Sequence, residues 1–170
     1  MNIFLISDTH FGHSNILTFK NADGTLVRPG FEDVNDMDET IIHNWNKVVG
    51  AKDKVYHLGD VGFKNFTVLS KTLVRLNGEK VLIKGNHDNL KLKQYVQLFK
   101  DVRAYHVIDK FVLSHIPVHP ESVTRWKGNI HGHLHDRNLE DNRYWNVSVE
   151  QINYTPISFE DLKLKHRYTE

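Results

Sequence analysis

The chain has no cysteine, which excludes disulfide staples and thiolate metal sites and leads us to expect an intracellular setting. Nor does it carry a surplus of either charge. With 22 basic against 21 acidic residues the formal net charge is +1, so no global field directs it to nucleic acid or to an anionic membrane, and any polyanion site has to be local. No apolar run is long enough to cross a bilayer, and the N-terminal apolar stretch meets Asp8 and His10 too soon for a signal peptide. A soluble, cytoplasmic chain without a membrane partner is therefore expected. Repeats, low-complexity tracts and linkers are also missing. The 170 residues, 39% of them hydrophobic, suffice for one well-buried core and hardly for two, so residues 1–170 are read as a single domain.

What the chain has in excess is histidine, at 12 residues, and their placement is ordered. Short apolar runs that read as buried strands stop at polar clusters. Ile3–Ile6 stops at Asp8 and His10, Lys54–Leu58 at Gly59-Asp60, and Lys80–Lys84 at Gly85-Asn86-His87-Asp88. Phe111–Ser114 then stops at His115, and Gly128–Ile130 at His131-Gly-His133-Leu-His135. Helical spacing lies between them. Met37, Ile41, Trp45 and Val48 predict a helix over Val34–Val49 with Gly50 as its stop, further helices are expected over Asn65–Leu76 and Asn89–Phe99, and Ser158 begins a short fourth. Strands alternating with helices predict an α/β fold with parallel pairing and ligands beyond the carboxyl ends of the strands. Because Val102–Val149 is richer in strand than in helix, two facing sheets are expected.

Taken one at a time, the clusters leave alternatives open. Asp8 and His10 pair a hard oxygen with an imidazole nitrogen, which suits manganese, iron, zinc or nickel over magnesium or calcium, yet Asp8 alone could equally cap a helix. Gly59-Asp60 is also ordinary turn chemistry. Asn86 offers a neutral ligand, His87 a transferable proton and Asp88 an orienting carboxylate, although Gly-Asn is a common turn pair. His115 alone would read as a packed histidine. His133 and His135, two apart on an extended chain, can face one pocket. The conjunction is stronger than its parts, because independent turns have no reason to place such groups at five strand ends. Two divalent ions about 3.5–4 Å apart, sharing a bridging carboxylate and a bridging hydroxide, require such an inventory.

The ordered series Asp8-x-His10, Gly59-Asp60, Gly85-Asn86-His87-Asp88, His115 and Gly132-His133-x-His135 resembles the calcineurin-like metallophosphoesterases across residues 1 to about 150. The resemblance implies a four-layer α/β/β/α sandwich with a two-metal site on its edge. It implies Asp8, His10 and His135 on the first metal, Asn86, His115 and His133 on the second, and Asp60 bridging. It also implies a bridging hydroxide as nucleophile, His87 facing the phosphate as general acid or transition-state stabiliser, and Asp88 orienting His87. Manganese is the ion expected first, with iron, zinc, nickel or cobalt as alternatives. Details resemble a small bacterial and phage subgroup that opens with Asp-Thr-His-Phe-x-His, here Asp8 to His13, and carries Asn44-Trp45-Asn46 ahead of Gly59-Asp60. A phage origin, acting in the host cytoplasm, is accordingly suggested. Val61-Gly-Phe-Lys-Asn65 stands where the Ser/Thr protein phosphatases have Asp-Arg-Gly, which argues against a dedicated protein phosphatase.

Around these ligands, His13 and Asn15 are candidate substrate contacts, with helix capping as the alternative for Asn15. Arg28 is a third candidate, since a guanidinium matches phosphate oxygens bidentately, though a solvated Arg28 is an equal reading. Trp126 and Trp145 could stack on a base but are read as packing. His131 is expected behind the ligands, His57 pointing away from them, and His43, His106, His119 and His166 at the surface or in packing. The leading functional expectation is a phosphodiesterase on nucleotides or other small phosphoesters. Alternatives are a nuclease on nucleic acid strands, which the near-neutral charge disfavours, a phosphomonoesterase, and a non-catalytic metal-binding scaffold.

Overall fold

Along Ile3–Ile6 (β1) the alternation of a strand sends Phe4 and Ile6 to one face and Leu5 to the other. The same division recurs in Lys54–His57 (β2), where Val55 and Tyr56 part, and in Glu79–Ile83 (β3), where Leu82 parts from Val81 and Ile83. Each strand thus feeds two apolar layers. The computed structural model describes residues 1–62 and 65–167; Phe63 and Lys64, within the stretch that departs from the phosphatase pattern, lie outside the described residues.

The first layer lies between the first sheet and the helices Val34–Val48 (α1), Phe66–Leu73 (α2) and Leu92–Leu98 (α3). Asp33 caps α1 by accepting from the amides of Asn35 and Asp36, and the stripe Met37, Ile41, Trp45 is fully buried. The Asn44-Trp45-Asn46 sequence is structural. Trp45 Nε1 donates to the Asn77 carbonyl, Asn46 exchanges bonds with Arg75 and Asn77, and Asn44 donates to the Tyr154 carbonyl. By tying Asn77 to α1, those bonds help turn the chain after α2, which ends at Leu73, short of the expected Leu76. The helix expected from Asn89 starts at Leu92.

The first sheet has the order β4-β3-β2-β1-β9, with Asp101–Arg103 (β4) parallel and Ile157–Ser158 (β9) antiparallel to their neighbours. The second has the order β5-β6-β7-β8, formed by His106–Ile108 (β5), Phe111–Leu113 (β6), Gly128–His131 (β7) and Tyr144–Asn146 (β8), with β5 antiparallel and the rest parallel. The expected parallel pairing holds from β1 to β4 and from β6 to β8, while the edge strands β9 and β5 pair antiparallel and make both sheets mixed. Between the sheets lies the second layer, in which Leu5, Leu58 and Ile83 pack with Leu113, Ile130 and Val147. Pro120–Val123 (α4) follows β6, and Phe159–Arg167 (α5) starts from Ser158, whose hydroxyl accepts from the Asp161 amide. The chain is a single-domain α/β fold with two mixed sheets. No helix among the described residues is long and apolar enough to cross a membrane.

One junction positions the site. Past β1, Ser7 donates its amide to the Val147 carbonyl and accepts at its own carbonyl from Val149, so the carboxyl ends of β1 and β8 meet.

Candidate metal centre

The five strand ends that carry the polar clusters converge, and their donor atoms fall into two groups. Asp8, His10 and His135 form one, and Asp60, His115 and His133 the other, each with its ligand atoms within 4.8 Å of one another. These two groups could hold metal ions. In the first, His10 Nε2 and His135 Nε2 each lie 3.9 Å from Asp8 Oδ1. Asp60 Oδ2 stands between the groups, 3.7 Å from His10 Nε2 and 3.3 Å from His115 Nε2. Donors bound to one first-row ion at 2.0–2.2 Å sit about 3–4 Å apart, so the spacing fits.

Unmet polar atoms make the same case. Asp8 Oδ1 and His10 Nε2 are buried without a hydrogen-bond partner, a costly state that a cation would relieve. Burial, aided by the Arg28 charge, lowers the His10 pKa to about 2, which keeps a lone pair available. His115 donates Nδ1–H to the Leu58 carbonyl, while its Nε2 faces Asn86 Oδ1 at 2.8 Å and Asp60 Oδ2 at 3.3 Å. A ring nitrogen flanked by two oxygens needs a proton or a metal ion. Asn86 Oδ1 also lies 3.1 Å from His133 Nδ1, which gathers Asn86 to the second group. Burial alone would raise Asp60, but His115 and the His87 amide hold its carboxyl well below the usual range.

The backbone is forced into this shape. Asp8, His10, Asp60, His133 and His135 all have φ between 48° and 69°, a left-handed conformation that costs a non-glycine residue about 1–2 kcal/mol. Such strain gathers at functional sites because it aims side chains that regular strands would splay apart. Two motif glycines are there for close approach. A Cβ on Gly85 would lie 2.2 Å from Asp60 Oδ1, and one on Gly132 would lie 2.3 Å from Asp8 Oδ2.

Of the other expected contacts, His13 is brought to the centre. Its half-buried ring lies 5.6 Å from that of His10 and meets Phe19 edge to face. His87, exposed, lies 5.8 Å from the His10 ring on centroids. Asn15 does not reach the groups by any described bond; it is exposed within a 3-10 turn over Ser14–Thr18, where it caps nothing.

Two expectations are corrected. Arg28 does not reach out toward phosphate: its side chain is fully buried, with Nε 2.6 Å from Glu150 Oε1 and the other nitrogens on the carbonyls of Asp8 and Thr9. Asp88 is not placed to orient His87 by its carboxylate, because both oxygens are taken by amides of Asp60, Val61 and Gly85. It fixes the Asp60 loop instead, and burial pushes its carboxyl up despite those donors.

His57 points away from the centre, as expected. Its Nδ1 accepts from the Gly59 amide, so Nε2 carries the proton and donates to Thr9 Oγ1. Full burial lowers its pKa to about 3. His131, also buried, donates Nδ1–H to the Gly132 carbonyl. His119 caps α4, His106 stacks on Tyr56, and His166 lies flat against Trp145, which is core packing.

Sequence reasoning missed Ser148 and Glu150. Ser148 Oγ and the His133 amide both donate to Asp8 Oδ2, and Glu150 Oε1 accepts from His135 Nδ1 at 2.9 Å. His135 and Arg28 hold the Glu150 carboxyl below its usual range although burial opposes this. No local signal marks either residue, because their partners lie more than a hundred positions away or on a separate loop.

The chain matches no defined family profile. It is 41% identical to an uncharacterized protein of Methanocaldococcus jannaschii, over 93% of this chain and 87% of that one. The Gene 66 protein of Mycobacterium phage L5 is 32% identical over 51% of this chain and 40% of its own length. A solved structure of a protein of unknown function from Aquifex aeolicus is 30% identical, with a TM-score of 0.73 over 96% of this chain and 98% of that one.

Proposed function

Since the chain belongs to one family with the Methanocaldococcus jannaschii protein, whose name carries no activity, we propose its function from the centre itself: a two-metal-dependent phosphoester hydrolase of the calcineurin-like metallophosphoesterase type. In this reading the two sheets and their helices are that family's four-layer sandwich. The substrate is a phosphodiester, nucleotide-like or otherwise small. The observation that carries the reading is the position of Asp60 Oδ2, within 3.7 Å of a donor in each group, where one carboxylate can serve two ions.

Asp8, His10 and His135 would hold one ion, and Asp60, Asn86, His115 and His133 the other, with Asp60 shared. The imidazole and carboxylate set suits manganese first, then iron, zinc, nickel or cobalt. Such ions, when bound, supply Lewis-acid charge to phosphoryl oxygens and acidify a coordinated water toward neutral pH. The side chains do the rest. His87, exposed next to the groups, donates a proton to the departing oxygen. His13, beside His10, hydrogen-bonds a phosphoryl oxygen. Because the Arg28 guanidinium is committed to Glu150, the imidazoles of His13 and His87 are what the described residues turn to the phosphate, which suits a monoanionic diester better than a dianionic monoester.

Initial rates on an aromatic phosphodiester and on the matching monoester, with added manganese and with a chelator control, test this. Chelator-sensitive turnover favouring the diester is expected. Absence of turnover with either ester, from protein shown to hold two ions, would return the chain to the status of a metal-binding scaffold.

A further inference from the structure

Outside the two groups Arg28 and Glu150 form an ion pair that is nearly invisible to solvent, at 0% and 4% side-chain exposure. Burying an ion pair is expensive and an apolar pair of similar volume is often as stable, so the role of this pair is to be sought in what it touches. Glu150 Oε1 receives Nδ1–H of His135 and Nε–H of Arg28. Arg28 spreads its remaining donors over the carbonyls of Asp8 and Thr9, with Nη1 also 3.4 Å from Met37 Sδ. One carboxylate and one guanidinium therefore touch both segments that supply the first group, the Asp8–His10 turn and the His135 turn. Two residues before Glu150, Ser148 Oγ holds Asp8 Oδ2 from the other side.

The arrangement specifies the His135 tautomer. With Nδ1–H given to Glu150, Nε2 is left as the donor atom, and it is Nε2 that faces Asp8 Oδ1. The Asp8–Thr9 carbonyls belong to a turn whose φ is 59° at Asp8 and 48° at His10, a conformation that relaxes unless held. A lysine at position 28 could not hold it, because a single ammonium cannot span a carboxylate and two carbonyls in the planar fork that arginine presents.

We propose that Arg28 and Glu150 are positioning residues, a buried charged brace that presets Asp8, His10 and His135 for their ion and acts on the first group alone. The proposal rests on the two-metal reading. Among the described residues no ion pair touches the second group's side chains: His115 is backed by the Leu58 carbonyl, and Asp88 holds the Asp60 loop by its amides alone.

The test is Mn²⁺ binding by equilibrium dialysis in two backgrounds, His115→Ala to isolate the first group and His135→Ala to isolate the second. Glu150→Gln should weaken Mn²⁺ binding at least tenfold in the first background, within the range for lost outer-shell partners, and leave the second unchanged. Because Glu150→Gln strands the Arg28 charge and could unfold the chain, Arg28→Met with Glu150→Leu replaces the whole pair by apolar groups, an exchange that folds tolerate. This double variant should melt like its parent and still lose first-group affinity. Equal weakening in both backgrounds, or an unchanged first group in a folded variant, overturns the brace. If the native chain retains fewer than two Mn²⁺ at saturation, the two-metal reading falls and the brace with it, an outcome visible before any variant is made.

Discussion

The two ligand groups use the same residue types and are supported by different means. Behind the first stand a carboxylate, a guanidinium and a serine hydroxyl, all buried. Behind the second stand the Leu58 carbonyl on His115 and the buried Asp88 carboxylate, which holds the backbone of Asp60 through its amides and not the ligand side chains. Burial does not divide them, for each group has two buried members and a half-buried histidine; what the second adds is Asn86, which lies in the open. A donor set whose side chains are held by a buried ion pair favours retention of an ion, and one that includes an exposed amide favours exchange. One ligand inventory can in this way produce two sites of unequal permanence.

Asp60→Asn should erase the difference, since it removes the oxygen that both groups share. Metal content should fall in both, and turnover should drop to the level of chelator-treated protein; retention of two ions would show that Asp60 is not shared. His87→Ala should leave metal content intact while lowering kcat by about 10²–10⁴-fold, the usual worth of a positioned acid. Loss of metal in that variant would instead make His87 a ligand. Gly132→Ala drives a methyl to within 2.0 Å of Ser7 Oγ and 2.3 Å of Asp8 Oδ2, so it should cost about 1–3 kcal/mol and loosen the first group before the second.

The reverse selectivity is expected at Asn129. This fully buried amide accepts from the Val118 amide and donates to the Val112 carbonyl and Ser114 Oγ, holding the loop that carries His115. Asn129→Ala should cost about 1–3 kcal/mol through unpaired groups and weaken the second ion more than the first. Smallest in effect is pH. His57, with its pKa lowered to about 3, stays neutral in the fold, whereas an unfolded imidazole protonates near 6.5. Its contribution is fully present above pH 6.5 and is lost as the pH falls toward 3, because the unfolded chain then binds more protons. Metal-free protein should therefore melt at a lower temperature at pH 5 than at pH 7, and His57→Gln should flatten that slope.

What the sequence made legible was whatever is written within a few residues. Strand ends with polar clusters, the helix stripe through Met37, Ile41 and Trp45, and the facing of two sheets could all be read from periodicity. Arg28 could not be, because a buried and a solvated arginine look alike until Glu150, 122 residues later, is brought beside it. Asp88 misled for a related reason: its partners are backbone amides, which every residue owns and no sequence advertises. Short strands such as β5 and β8 owe their state to neighbours, and three residues carry too little pattern to announce one.

The meeting of Ser7 with Val147 and Val149 also sets an order of events. Asp8 leaves the ribosome 140 residues before the hydroxyl that holds its carboxylate. A growing chain thus carries the first donors through that stretch of synthesis without the segment that closes around them, and closing so long a loop is among the slower acts of folding. An ion at the first group would accordingly be held tightly only after the later segment has closed around Asp8.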